Sequence, residues 1–225
     1  MIKAFIFDIG GTLVKTDKAL LDAADRALKE NDLVINDRSA VIHSFGRSTR
    51  YIVETAVKSS YIGNDLNSNV ENCRKSFKRI FPTEVVTDFT LFPSVLGALQ
   101  LLKNKRCKLV IFTGFSREET VFILERLKLK DYFDFSIIRD DVKKVRPDPE
   151  ALILSTKKLG YDINECIYVG DTIADIQMAK NAGMKVVCVK TGIQDNNMLE
   201  KEAPDFFVEN LQEMVNVLSP DLPSN

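Results

Sequence analysis

Histidine is almost absent from this sequence; His43 stands alone. Cysteine is scarce as well. Cys73, Cys107, Cys166 and Cys188 are scattered, with no Cys-x-x-Cys spacing among them. One imidazole and four isolated thiols do not make a zinc set. His43 reads as a surface or interface histidine. Cys107 and Cys188 lie in or beside apolar runs, where a thiol serves as a small hydrophobe. The expectation is reduced cysteines in a cytoplasmic protein. An excess of charge of one sign is lacking: 31 basic and 32 acidic residues leave a net charge of −1. That removes the electrostatic argument for nucleic acid or an anionic membrane as partner. Long apolar runs are missing too. The N-terminal run is cut at Asp8, too soon for a secretory signal, and no run nears the roughly 18 residues of a membrane span. Repeats and low-complexity stretches are also absent.

What is present suits a soluble globular chain. Its 225 residues, 45% of them apolar, fit a core domain with a smaller inserted one. Short apolar runs occur at Ile2–Phe7, Lys108–Phe112, Phe135–Ile138, Cys166–Val169 and Lys185–Val189. They are β-branched or aromatic and nearly continuous, as strands of a parallel sheet are when helices cover both faces. Amphipathic stretches alternate with them. Ser94–Lys105, Arg117–Leu127, Pro149–Gly160 and Thr172–Asn181 read as helices. Ser116 and Glu119 match a capping box, and Asp148 reads as a helix cap. The fold class expected is α/β, a three-layer doubly wound sheet, mostly parallel.

One interval breaks the rhythm. Between about Val14 and Phe89 no strand is evident, and four helices are expected: Lys18–Asn31, Arg38–Phe45, Thr49–Ser60 and Leu66–Phe81. This is too long for a crossover and too patterned for a loop. It reads as an inserted helical domain, framed on return by Pro82 and Pro93. The division is a core of residues 1–13 and 90–225 and an insert of 14–89. The tail Ser219–Asn225 is expected to fray.

Ligands of open α/β sheets bind beyond the carboxyl ends of the strands, so the residues there carry the functional question. Asp8-Ile9-Gly10-Gly11-Thr12 follows the first run. The glycines allow a ligand close to the backbone, or an ordinary turn. Thr113-Gly114 follows the second, with a hydroxyl and backbone N–H groups ahead of a helix suited to phosphate. Arg146 is offered by a loop stiffened by Pro147 and Pro149; Lys143 or Lys144 is the alternative cation. Gly170-Asp171-Thr172-Ile173-Ala174-Asp175 places two carboxylates four residues apart, on one helix face. Together with Asp8 they would repel unless a cation joined them, and an all-oxygen set favours Mg²⁺. The plain alternative makes Asp171 a helix cap.

In order and placement these motifs resemble the haloacid-dehalogenase superfamily in its helical-cap form, through nearly the whole core. The resemblance implies an Mg²⁺-dependent hydrolase with Asp8 as nucleophile and an aspartyl-phosphate intermediate. It implies metal ligation by Asp8, the carbonyl of Gly10, Asp171 and Asp175. Thr113, Gly114, Gly11 and Arg146 would hold the phosphoryl group, with Arg47 of the cap on the substrate. The partner implied is a small phosphorylated or phosphonate metabolite, and the protein a monomer or homodimer. The sequence departs from the pattern at Gly10, where phosphatase members carry a second aspartate as general acid and base. The core motifs are also similar to those of phosphoglycolate phosphatase and β-phosphoglucomutase-like members, with Arg146 where many members, including the latter, carry a lysine. Gly10, Thr113-Gly114-Phe115 and Arg146-Pro147 are similar to phosphonoacetaldehyde hydrolase, but Thr49 stands where that enzyme's Schiff-base lysine belongs, and Lys58 is the next lysine along. A phosphatase, a carbon–phosphorus hydrolase, and a phosphate-binding protein with weak or no turnover all follow as readings.

Overall fold

The computed structural model describes residues 1–81 and 89–223. Successive residues of the apolar runs point to opposite faces of one sheet, as strand geometry demands. Its strands are β1 (Ala4–Phe7), β4 (Lys108–Thr113), β5 (Phe135–Ile138), β6 (Cys166–Gly170), β7 (Lys185–Val189) and β8 (Phe206–Val208). All pair in parallel, in the order β5-β4-β1-β6-β7-β8. Phe5, Phe7, Leu109, Ile111, Ile167 and Val169 enter one core. Ala4, Ile6, Val110, Phe112, Cys166 and Tyr168 enter the other.

Helices cover both faces. α5 (Val95–Asn104), α6 (Arg117–Arg126) and α10 (Leu211–Leu218) bury Leu99, Ile123 and Met214 on the first. α7 (Glu150–Leu159) and α8 (Ile173–Ala182) bury Leu152, Ile176 and Ala179 on the second, with Leu199 from α9 (Asn196–Lys201). The three-layer α/β class expected from the sequence is the one observed. The four cysteines are buried and free, two in each core.

β1 lies between β4 and β6, so the chain winds outward in opposite directions from it. That is a topological switch point, where a crevice opens at the carboxyl ends of the strands. Register fixes which residues reach it: Phe7 is level with Ile111 on one side and Val169 on the other. Asp8, Thr113 and Asp171 therefore emerge close together.

Between β1 and β4 lie α1 (Asp17–Lys29), α2 (Arg38–His43), α3 (Thr49–Ser60) and α4 (Leu66–Ile80). α4 packs on α1 and α3, and α2 packs on α3. Leu20, Leu28, Val53 and Phe77 continue the first core. The rings of Phe81, Phe89 and Phe115 lie 5.6–6.4 Å apart and tie this segment to the head of α6; such contacts add about 0.5–1.5 kcal/mol each beyond burial.

Two expectations are corrected. The interval from Val14 does contain a strand: β2 (Val14–Lys15) pairs antiparallel with β3 (Thr90–Leu91). Two residues carry no periodicity, so the ribbon leaves no trace in the pattern. The tail is docked through residue 222: the Ile2 N–H donates to the Asp221 carbonyl at 2.8 Å and Leu222 is buried. Pro82 lies outside the described residues. No described helix is long and apolar enough to cross a membrane.

Candidate active site

Asp8 ends the central strand and is 4% exposed. Its backbone N–H donates to the Val169 carbonyl at 2.9 Å, extending the strand pairing into the site. Gly11 turns the chain back with φ +72°, and a Cβ there would stand 2.0 Å from Oδ2 of Asp171. Only glycine fits both conditions. The turn returns Thr12, whose hydroxyl donates to Asp171 Oδ1 at 2.8 Å.

Asp175 is held from three sides. The Tyr168 hydroxyl donates to its Oδ1 at 2.7 Å. The Thr172 hydroxyl and backbone N–H donate to Oδ2 at 2.6 and 3.1 Å. Thr172, not Asp171, is the N-cap of α8, with Asp175 as its capping-box partner. Asp171 is thus released from capping, and carboxylate oxygens of Asp8, Asp171 and Asp175 all lie within 4.8 Å of one another.

Arg146 supplies the cation in this group. It is 3% exposed. One Nη2 N–H donates to Asp8 Oδ1 at 2.7 Å and another to the Phe112 carbonyl at 3.0 Å. Nη1 donates to the Gly46 carbonyl at 2.6 Å. Nε lies 3.0 Å from Asp175 Oδ1, and the guanidinium stacks 4.6 Å from the Phe112 ring centre. Lysine, with one nitrogen, could not make this set. Lys143 and Lys144 are exposed, and the Lys144 ammonium pairs with Asp148. Asp148 accepts from the Glu150 N–H at 3.0 Å just ahead of α7, but the N-cap is Pro149, so the cap expected at Asp148 falls one residue later.

Burial governs the titration of these groups. It pushes Asp8 up to about 7 against the attraction of Arg146. Burial likewise holds Asp171 well above the carboxylate range, reinforced by the charges of Asp17, Asp175 and Asp8. Arg146 stays cationic, its burial outweighed by Asp175 and Asp8. A crowd of buried carboxylates with one guanidinium is short of positive charge, and the oxygen-only donor set fits a hard divalent cation.

Thr113 is buried at the end of β4, its Oγ1 accepting from the Phe115 N–H at 3.3 Å. A Cβ on neighbouring Gly114 would lie 3.0 Å from the Arg47 carbonyl. The loop at Gly46-Arg47 therefore closes directly over the strand ends. Gly10, Phe45, Arg47, Thr49, Thr113 and Arg146 line one pocket with Asp8 and Asp171. Arg47 sits there with its guanidinium 4.6 Å from the Tyr51 ring centre. Arg50 is exposed. His43 is exposed too, its Nδ1 2.7 Å from the Ser39 carbonyl, and it does not line this pocket.

Sequence reading missed Thr16 and Asp17. Both line the pocket. Burial pushes the Asp17 carboxyl up to about 6, opposed by the adjacent Thr16 hydroxyl. In sequence the pair resembles any polar start of a helix. Tyr168 was missed too, hidden inside an apolar strand.

Comparison with known proteins agrees with this geometry. Residues 5–189 match the model of the haloacid dehalogenase-like hydrolase family. "Probable phosphatase IndB" of Dickeya dadantii is 31% identical over 217 residues, covering 93% of this chain and 90% of that one. Pyrophosphatase PpaX of Bacillus pumilus is 27% identical over 220 residues, 98% of each chain. The solved structure of "a predicted phosphoglycolate phosphatase" from Haemophilus somnus superposes with a TM-score of 0.87 at 21% identity, covering 96% of this chain and 97% of that one; it speaks for the fold. A family match over most of the length, on a fold whose switch point gathers the motif residues, allows one conclusion: the chain belongs to the haloacid dehalogenase-like hydrolases.

Proposed function

We propose that this protein is an Mg²⁺-dependent phosphatase of a small phosphorylated metabolite, working through an aspartyl-phosphate on Asp8. One observation carries the reading: at the switch point of the sheet, carboxylate oxygens of Asp8, Asp171 and Asp175 lie within 4.8 Å of one another, with the Arg146 guanidinium paired to Asp8 and Asp175. Two relatives named phosphatase and pyrophosphatase support the bond type.

Asp8 attacks phosphorus and displaces the leaving oxygen; water then attacks the aspartyl-phosphate and frees the carboxylate. Thr113, the N–H of Gly114 and Arg146 meet the charge spread over the equatorial oxygens. Gly11 allows the turn that brings Thr12 to Asp171, and Tyr168 and Thr172 hold Asp175. Asp8, the Gly10 carbonyl, Asp171 and Asp175 would hold Mg²⁺, which neutralises phosphoryl and carboxylate charge when bound. Arg47 reaches the substrate from the helical segment, which acts as a cap.

The phosphonatase reading loses support. Among the described residues lining the pocket there is no lysine. Lys58 is exposed and paired with Glu54 at 2.6 Å. The deciding experiment is hydrolysis of p-nitrophenyl phosphate, acetyl phosphate, pyrophosphate and phosphoglycolate, with and without Mg²⁺, on the parent and Asp8→Asn. We expect Mg²⁺-dependent release of phosphate by the parent and a loss of about 10³-fold or more in Asp8→Asn. Turnover that survives Asp8→Asn, or no turnover of any member, rejects the reading.

A further inference from the structure

Resting on that phosphatase reading, we propose that Asp17, set beside the buried hydroxyl of Thr16, is the acid–base group at the leaving oxygen in place of the carboxylate that Gly10 lacks. The first support is steric. A Cβ at position 10 would stand 2.7 Å from Thr16 Oγ1 and 3.7 Å from the Thr16 Cβ and Cγ2. The Thr16 side chain thus fills the direction in which a side chain at 10 would leave the backbone.

The second support is the Thr16 hydroxyl itself. Thr16 is 1% exposed. It is the N-cap of α1, a helix of 13 residues, yet its side chain makes no capping bond. No hydrogen bond of full geometry satisfies its Oγ1, and the group it acts on is the Asp17 carboxyl beside it. Capping is the usual use of threonine at this position. This one instead lines the pocket that holds Asp8.

The third support is Asp17. Asp17 lines the same pocket, and among the described residues no lysine or arginine forms an ion pair with its carboxyl. It therefore shares a pocket with Asp8 and the backbone of Gly10, with no cation tying its carboxyl down. The proton balance closes over two steps. As the Asp8 oxygen bonds to phosphorus and the P–O bond to the leaving group breaks, the Asp17 carboxyl gives its proton to that oxygen, releasing an alcohol. As water then attacks phosphorus and the P–O bond to Asp8 breaks, the Asp17 carboxylate takes a proton from the water. Phosphate leaves and both aspartates are restored.

The test is the dependence on leaving group in Asp17→Asn and Asp17→Glu. p-Nitrophenolate leaves without a proton; the alkoxide of glycerol phosphate or phosphoglycolate does not. In Asp17→Asn we expect phosphorylation of Asp8 by alkyl phosphates to fall about 10²–10⁴-fold. The first-turnover burst with p-nitrophenyl phosphate should change less than about tenfold, and acid-quenched phosphoenzyme should accumulate as its hydrolysis slows. Asp17→Glu should recover part of the alkyl rate. Gly10→Asp with Thr16→Ala, in the Asp17→Asn background, should recover it too. Equal losses for both leaving groups, or no loss for either, overturn the assignment of Asp17. A parent enzyme without Asp8-dependent turnover rejects the phosphatase reading itself, and the assignment with it. An unchanged Mg²⁺-induced rise in melting temperature in Asp17→Asn shows that the fold and metal site survive.

Discussion

At Arg146 one side chain meets two buried carboxylates, two carbonyls and an aromatic face. Its removal leaves Asp8 and Asp175 uncompensated. Breaking a buried ion pair from one side costs about 3–5 kcal/mol, so Arg146→Ala should melt far below the parent or fail to accumulate. Arg146→Lys keeps the charge and loses the fork. It should fold, with kcat/KM lower by about 10- to 100-fold, roughly 1.4–2.7 kcal/mol of transition-state stabilisation. Equal kcat/KM for parent and Arg146→Lys would mean that only net charge matters at this position. The Asp8→Asn variant differs in kind. It removes the nucleophile along with a buried charge, so turnover should vanish while the protein remains folded, as circular dichroism can check.

Between elements, the contact that matters is the loop joining α2 to α3. Gly46 has φ +84°, and a Cβ there would lie 2.4 Å from Thr172 Oγ1. Thr172 caps α8 and holds Asp175, while the Gly46 carbonyl accepts from Arg146. The helical segment therefore touches the sheet domain through the residues that orient the carboxylates. Gly46→Ala should push the loop off the strand ends. We expect kcat/KM to drop by tenfold or more while the melting temperature falls by only a few degrees, because the cores on either side of the sheet are untouched. A melting temperature lowered as far as in Arg146→Ala would make Gly46 a stability residue instead.

Over the whole molecule, the buried acids set the response to pH and metal. The folded pKa of Asp8, about 7, and that of Asp17, about 6, lie above the usual carboxylate value, 3.8. The folded state then binds more protons than the unfolded chain between about pH 4 and 7. Their contribution is full at the acid side of that window and is lost as pH rises through the folded pKa values. Without metal, the protein should melt higher at pH 5 than at pH 8. Divalent cation should act the other way, binding the ionised carboxylates. At about 100 times its Kd it adds about 2.7 kcal/mol, which for a chain of this size is roughly 5–11 °C. Melting curves at pH 5 and 8, in chelator and in Mg²⁺, check both; a Mg²⁺ effect greater at pH 5 than at pH 8 would contradict the carboxylate site.

Local chemistry determined much of this protein. The parallel strands were legible because burial on both faces writes an unbroken apolar run, and α3 matches the expected Thr49–Ser60 because Ser48 and the apolar spacing mark it. Asp8, Thr113, Arg146, Asp171 and Asp175 were legible because each follows a strand or precedes one in a motif with a chemical reason. Arg146 was the favoured cation from its place ahead of Pro147 and Pro149, and burial then sets it apart from Lys143 and Lys144, the alternatives in the same loop. β2 and β3 were invisible because two-residue strands have no period, and β8 (Phe206–Val208) is scarcely longer. The surroundings of Gly10 needed three dimensions most of all. A missing side chain is plain in the sequence, but its space is filled by Thr16, with Asp17 beside it. Only the turn through Gly11, the ribbon of β2 and the start of α1 bring those residues to the same pocket.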